Sequence, residues 1–189
     1  MHRINVIGTS GSGKSTFCRK LAHVLGYPHI EMDALFWKPN WAESTDEAFL
    51  LAIEQALDQP QWILDGNYHR TAALKWRHAD TVIWVDYSFT RTLFQAVQRA
   101  VIRCLSKQEL WPGTGNRESF RKTFLSRDSI IWWTIKTYSK NRARYLSMMS
   151  DPNFAHIQFV QLRSPAQANQ LIQQQKHMKT LGTEPTSNE

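Results

Sequence analysis

The sequence predicts a three-layer α/β fold, a parallel sheet with helices on both faces, and three observations predict it. Short apolar runs alternate with stretches of helical periodicity along the 189 residues, and strands joined through helices run parallel with right-handed crossovers. Trp62-Ile63-Leu64 and Thr81-Val82-Ile83-Trp84-Val85 are apolar throughout, the pattern of strands covered on both faces. Gly8, Asp33, Asp65 and Asp86 each stand at the carboxyl end of such a run, the edge of an open α/β sheet where ligands collect.

The elements follow in order. Arg3 to Gly8 is a first strand ending at a glycine, and Phe17, Leu21, Ala22 and Leu25 give the next stretch, Ser15 to Gly26, a helical apolar face. Gly26-Tyr27-Pro28 stops that helix, and His29 to Met32 is a second short strand that delivers Asp33. Ala34 to Glu43, with Pro39 and two Trp, is expected to be a loop. Ser44-Thr45-Asp46-Glu47 has the Ser-x-x-Glu form of a capping box, so a helix is predicted over Ala48 to Leu57, closed by Pro60. After the third and fourth strands, Thr90 to Leu105 carries Leu93, Val97 and Val101 on one helical side. Ser106 to Asn116 contains Pro112, Gly113 and Gly115 and is irregular. A long helix is predicted from about Glu118 to Met149, with Phe120, Phe124, Ile131, Ile135 and Tyr138 as its inner stripe. His156 to Leu162 is a fifth strand, and Pro165 opens a last helix at its favoured first-turn position.

A chain of this length supports one core of ordinary size, so a single domain over residues 1–175 is expected. From Gln175 the sequence is too polar to fold, which leaves 176–189 as a disordered tail. An apolar content of 42%, with eight Trp and nine Phe, excludes disorder for the remainder. Cys18 and Cys104 are too few for a disulfide framework and lack zinc-ligand spacing, so they read as ordinary cytosolic thiols. No run approaches the ~18 apolar residues of a membrane span, and no charged leader precedes a hydrophobic stretch. A cytoplasmic protein without a membrane partner is expected. The net charge of +7 is concentrated: Arg91 to Arg144 holds twelve Lys/Arg against three Asp/Glu, and the rest is slightly acidic. The partner of that segment is an anion, which nucleotide phosphates or a nucleic-acid backbone would satisfy.

Gly8-Thr9-Ser10-Gly11-Ser12-Gly13-Lys14-Ser15 fits G-x-x-x-x-G-K-S/T directly after a strand and directly before a helix. The glycines let the backbone curl around a phosphate with its N–H groups inward, and the helix N-terminus adds its positive dipole end. Gly8 through Ser15, with Thr16, are therefore the expected binding loop for ATP or a similar nucleoside triphosphate. Lys14 neutralises its β- and γ-oxygens, and Ser15 gives its hydroxyl oxygen to Mg²⁺.

Asp65, at the end of an apolar strand, is placed to hold a magnesium-bound water, or else forms an Asx turn before Gly66. Asp33 either takes or orients the proton of an attacking hydroxyl, or is a helix cap or solvated strand end. Glu31, two residues earlier on the same side of the strand, is a second candidate for that work. Asp86 is expected to cap the helix that follows it. Arg99 and Arg103 lie four apart on one helical face, where stacked guanidinium groups can bridge transferring phosphates or simply be solvated. With Arg117, Arg121 and Arg127 beyond the loop, they make residues 105–120 a candidate lid that closes over nucleotide and excludes water. Trp37, Trp41 and Tyr68 either stack on a base or sugar or pack against the core.

Taken together these residues resemble the adenylate-kinase-like branch of P-loop phosphotransferases, and especially the small bacterial proteins named DNA topology modulation proteins. The resemblance runs from about Arg3 to Gln173. It is carried by Gly8 to Thr16, Glu31-Met32-Asp33, Trp62 to Tyr68, the Arg-x-x-x-Arg of 99–103, and Leu162-Arg163-Ser164-Pro165. It implies a five-stranded sheet in the order 2-3-1-4-5, ATP and magnesium as ligands, and a helical lid between the fourth strand and the long helix. The chain departs from adenylate kinases, which follow Asp-Gly with Phe-Pro-Arg; Asn67-Tyr68-His69-Arg70 sets the arginine one residue later. The short acceptor region resembles shikimate- and gluconate-type kinases, whose substrate-binding residues have no match here. The expected function is a kinase acting on a small metabolite or nucleotide. The alternatives are a nucleotide-regulated nucleic-acid-binding protein, for which no DNA-binding motif is present, and an ATPase.

Overall fold

The structure is a computed structural model that describes residues 1–106, 109–118 and 129–182. Five strands, β1 (Arg3–Ile7), β2 (His29–Glu31), β3 (Trp62–Asp65), β4 (Thr81–Val85) and β5 (Gln158–Leu162), form one parallel sheet in the order β2-β3-β1-β4-β5. The register sets Val6 beside Asp65 and Ile83, and Glu31 beside Asp65. The ends of the central strands therefore meet at one edge.

Strand alternation sorts the core into two layers. Ile4, Val6, Ile63, Ile83 and Val85 point to one face, where α1 (Lys14–Leu25) contributes Phe17, Cys18 and Leu21, and α7 (Pro165–Gly182) contributes Ala168 and Ile172. Trp62 and Leu64 point to the other, against α2 (Met32–Phe36) and α3 (Asp46–Leu57). Ile7, Val82 and Trp84 share that face with Trp76 of α4 (Ala72–His78) and Tyr145 of α6 (Ile130–Met149). The remaining helix, α5 (Phe89–Ser106), crosses the carboxyl edge. Among the described residues no helix is long and apolar enough to cross a membrane.

Several expectations are corrected. Residues 34–43 are not a plain loop: α2 and a 3-10 turn, Pro39–Trp41, occupy the region, because Met32 and Phe36 bury one turn apart beside Phe49. The N-cap of α3 is Thr45, whose hydroxyl accepts from Ala48 N–H at 3.2 Å, while Ser44 turns inward to the Leu35 carbonyl. Helix α5 buries Thr92, Ala96 and Ala100 and leaves Val101 exposed, because it lies against the backbone of Gly11 and only small side chains fit. Helix α6 starts after its N-cap Ser129, and Ile135 is exposed while Thr134 and Tyr145 are buried. Phe120 and Phe124 lie outside the described residues. The polar tail does not begin at 176, since α7 continues to Gly182. Gln175 is buried, and Lys179 Nζ donates to the Val24 and Leu25 carbonyls at the end of α1. Residues 183–189 of that expected tail lie outside the described residues.

Candidate functional site

The site begins where β1 runs into Gly8–Gly13 and α1 starts at Lys14. Gly11 has φ +84°, and a Cβ there would stand 2.6 Å from Ala96 Cβ and 2.8 Å from the Thr92 carbonyl oxygen, so only glycine fits under α5. Thr134 of α6 donates to the Ser10 carbonyl at 3.2 Å and ties the loop's outer side. On the other side, the Asn67 side-chain oxygen accepts from Gly8 N–H at 2.9 Å and its amide donates to the Gly8 carbonyl. Three elements thus hold one loop.

Lys14 and Asp65 face each other, Nζ to Oδ1 3.9 Å, both largely buried. Burial opposes ionisation of Asp65, but Lys14, His29 and Ser15 outweigh it and hold the carboxyl below the usual carboxylate range. Asp65 Oδ1 is a buried atom without a hydrogen-bond partner, as is Ser12 Oγ. Beneath them a polar pin joins strand to helix: Asn5 donates to the Leu64 carbonyl at 2.9 Å and accepts from Trp76 Nε1 at 2.8 Å. Lys75, wholly buried, donates to the Gly66 carbonyl at 3.3 Å, and burial pushes its ammonium down to about 7.

Asp33, in the first turn of α2, accepts from the Tyr68 hydroxyl at 2.8 Å; burial and this carboxylate push the phenol up. Arg99 reaches the same volume from α5. Burial and Arg103 lower its pKa, while Glu118, Asp33 and Asp65 act in the opposite direction. Arg103 does not join it at the centre: its guanidinium pairs with Glu118 at 2.9 Å. The arrangement therefore gathers Lys14, Ser15, Asp65, Asp33 and Arg99, and leaves Arg103 to the base of the following loop. Glu31, beside Asp65 in the register, has its carboxylate 3.8 Å from His29 Nδ1. Asp86 does not cap α5. It accepts from Gln161 at 2.7 Å and pairs with Arg142 at 3.2 Å, while Ser88 Oγ accepts from Arg91 N–H.

The loop 109–118 sits on the turn that holds Trp37 and Trp41. Trp111 stacks on Trp37 with ring centres 6.4 Å apart and meets Trp41 edge-on at 5.9 Å. Asn116, buried, accepts from Trp41 N–H and donates to the Lys38 carbonyl, both at 2.9 Å. Asn40 and Trp41 have φ of 60° and 61°, a conformation that a bulky residue adopts only when its surroundings enforce it. The Trp side chains thus pack on one another, and Tyr68 packs between Phe36 and Phe49. Arg117 and Glu109 form an isolated antiparallel β-bridge through their backbones, and Arg121 and Arg127 lie outside the described residues. Sequence reasoning missed Asn67, Asn116, Trp111, Lys75 and His29. Of these only Asn67 left a trace, through its place after Asp65-Gly66.

A strand that feeds a glycine-rich loop into a helix opening with Lys14-Ser15, inside a parallel sheet of order 2-3-1-4-5, gives this chain the P-loop kinase fold. Among solved structures, shikimate kinase from Acinetobacter baumannii in complex with shikimate matches with TM-score 0.57 and 12% identity, covering 97% of this chain and 95% of that one. A sugar kinase from a Janibacter species, unliganded, matches with TM-score 0.50 and 15% identity over 96% and 93%. A gluconokinase from Sinorhizobium meliloti gives TM-score 0.48 and 18% identity over 97% and 98%. No protein-family model and no curated protein sequence matches the chain.

Proposed function

We propose that the protein is an ATP-dependent phosphotransferase of the adenylate-kinase-like branch, akin to the small bacterial proteins named DNA topology modulation proteins, and that its acceptor is a small hydroxylated metabolite. The observation that carries this reading is the convergence of Lys14, Asp65, Asp33 and half-buried Arg99 above one glycine-rich loop. A half-buried guanidinium among carboxylates suits the charge that develops on a phosphoryl group in transfer.

The phosphates lie against Gly8 to Thr16. Ser15 and, through water, Asp65 fit Mg²⁺, since Asp65 keeps a buried oxygen without a hydrogen bond beside Ser15 and Lys14. The ion would supply charge neutralisation at β- and γ-oxygens. The nucleoside is assigned to the cleft beyond β4 and β5, lined by Asp86, Ser88, Tyr138, Arg142 and Arg163. The acceptor comes from the opposite side, past Asp33 and Trp37. Tyr68 orients the Asp33 carboxylate, which takes the acceptor proton as the acceptor oxygen bonds to the γ-phosphorus and the bridging oxygen leaves with ADP. Arg70 pairs with Asp46 at 3.1 Å at the surface and lies over the rings of Phe36 and Phe49. Asp33, held by the Tyr68 hydroxyl, offers a proton acceptor, which favours a hydroxyl acceptor over a nucleoside monophosphate.

The test is a screen of hydroxylated metabolites and nucleoside monophosphates with purified protein and [γ-³²P]ATP. A labelled product from a hydroxyl compound, lost in Asp33→Asn, supports the reading. Label found only in a nucleoside diphosphate contradicts the acceptor class, and label released only as inorganic phosphate makes the protein an ATPase.

A further inference from the structure

Beside the phosphate loop, Cys18, His29 and Asp65 bring one sulfur, one ring nitrogen and one carboxylate oxygen within 4.8 Å of one another. Among the described residues this is the one group of three or more Cys, His, Asp or Glu side chains so arranged. The three come from α1, the start of β2 and the end of β3, so no spacing along the chain reveals them. Cys18 is fully buried and Asp65 nearly so.

One polar atom of the cluster lacks a partner. His29 Nε2 is a buried atom without a hydrogen-bond partner, and it faces Asp65 Oδ2 across 3.7 Å. That is too long for a hydrogen bond. It is close to the separation of two ligand atoms that each stand about 2.0–2.2 Å from one tetrahedral zinc ion. The other ring nitrogen, Nδ1, faces Glu31 at 3.8 Å, the place a carboxylate takes when it orients a metal-bound histidine from behind. With the Nδ1 proton toward Glu31, the Nε2 lone pair and the Asp65 carboxylate would be two acceptors facing each other in a buried place. A cation between them removes that conflict. A proton would serve two of the three groups, whereas a soft divalent ion also engages the thiol. Glu31 and His29, both only partly buried, give the route from solvent.

We infer that Cys18, His29 and Asp65 form a binding site for a soft divalent cation of the Zn²⁺ class, separate from the magnesium position. The two positions share Asp65 through different oxygens: Oδ1 faces Lys14, and Oδ2 faces His29. Binding replaces the Cys18 thiol proton, which is released to solvent, by a metal–sulfur bond. Occupation draws Asp65 charge away from Lys14 and Ser15, so the ion acts as an inhibitor; this consequence alone rests on the proposed phosphotransfer.

Co²⁺ is the probe for the site, because a cobalt–thiolate bond gives a near-ultraviolet charge-transfer band that needs no substrate. Titration of the full chain should give this band, saturating at one Co²⁺ per chain and displaced by Zn²⁺ but not by excess Mg²⁺. Cys18→Ser should abolish it, Cys104→Ser should keep it, and His29→Gln should weaken binding about tenfold or more. Circular dichroism and thermal melts establish that each variant is folded, and the retained band in Cys104→Ser with the weakened binding in His29→Gln keeps the test decisive if Cys18→Ser fails to fold. No band in the wild type, a band lost with Cys104, or unchanged affinity in His29→Gln overturns the site. If the band behaves as stated but Zn²⁺ lowers ATP turnover equally in wild type and Cys18→Ser, the inhibitory role is overturned and the site stands. Absence of turnover altogether bears on the phosphotransferase reading and leaves the cobalt result to decide the site.

Discussion

Replacing Asn67 by Ala removes both hydrogen bonds that hold the Gly8 peptide to the end of β3. Each such bond contributes about 0.5–1.5 kcal/mol, so the pair amounts to about 1–3 kcal/mol. For a chain of this size, about 2–4 °C of melting temperature accompanies each kcal/mol, which sets the expected drop near 5 °C. Gly8 begins the phosphate loop, and loosening it lowers the fraction of chains whose loop is shaped for phosphate. If half of the lost energy is expressed there, ATP affinity falls about fivefold. Asn67→Asp keeps an acceptor for Gly8 N–H but sets a carboxylate oxygen against the Gly8 carbonyl and adds negative charge near the phosphates. It should lose more ATP affinity than the alanine variant. Thermal melts and calorimetric titration with MgATP measure both effects. An unchanged melting temperature with ATP affinity within about twofold of wild type would refute the role of Asn67 as the loop's anchor.

Arg99→Ala should reduce turnover by about a hundredfold or more with a much smaller loss of ATP affinity, as expected for a group that meets charge developing in transfer. Arg103→Ala, which breaks the pair with Glu118, should instead loosen the loop 109–118 and change Trp111 fluorescence. Equal effects of the two on turnover would contradict the division of labour between them. Asp65→Asn should raise the magnesium requirement, so that added Mg²⁺ recovers part of the activity; an unchanged magnesium dependence returns Asp65 to a turn residue. Lys75 titrates near 7 in the folded chain and in its ordinary lysine range when unfolded. The unfolded state therefore binds more protons between these values, and stability rises as pH goes from about 7 to about 10.4. Lys75→Met should remove that rise and raise the melting temperature at neutral pH. A variant with the wild-type slope would show that Lys75 is not the group responsible.

The phosphate loop was legible because its chemistry is written in consecutive residues, Gly8 to Ser15, between a strand pattern and a helix pattern. Asp65 was legible as a strand end, whereas Asp33 stands in the first turn of α2, just past β2. The sheet order followed from resemblance and agrees with the observed β2-β3-β1-β4-β5. What was not legible depends on partners distant in sequence. Helix α5 turns its small residues inward because Gly11 lies beneath it, and periodicity alone selected the bulkier Leu93, Val97 and Val101. Asn116 reaches back 75 residues to Trp41, and that contact accompanies a left-handed backbone which no local preference of Trp would suggest. The polar end of α7 folds because Lys179 finds the carbonyls of α1, 154 and 155 residues earlier. Arg103 looked equivalent to Arg99 by spacing, and only the position of Glu118 separates them.

The central claim is that Lys14 and its loop grip the phosphates of ATP. Calorimetric titration of MgATP into the wild type and into Lys14→Met tests it directly, since Met fills the volume of the lysine stem and leaves the charge out. Hydrogen bonds to charged groups are worth about 1.5–3 kcal/mol, so the variant should bind roughly ten to a hundred times more weakly while remaining folded by circular dichroism. Wild type should take up one MgATP per chain. Equal affinity in a folded Lys14→Met, or no uptake of MgATP by the wild type, would contradict the account.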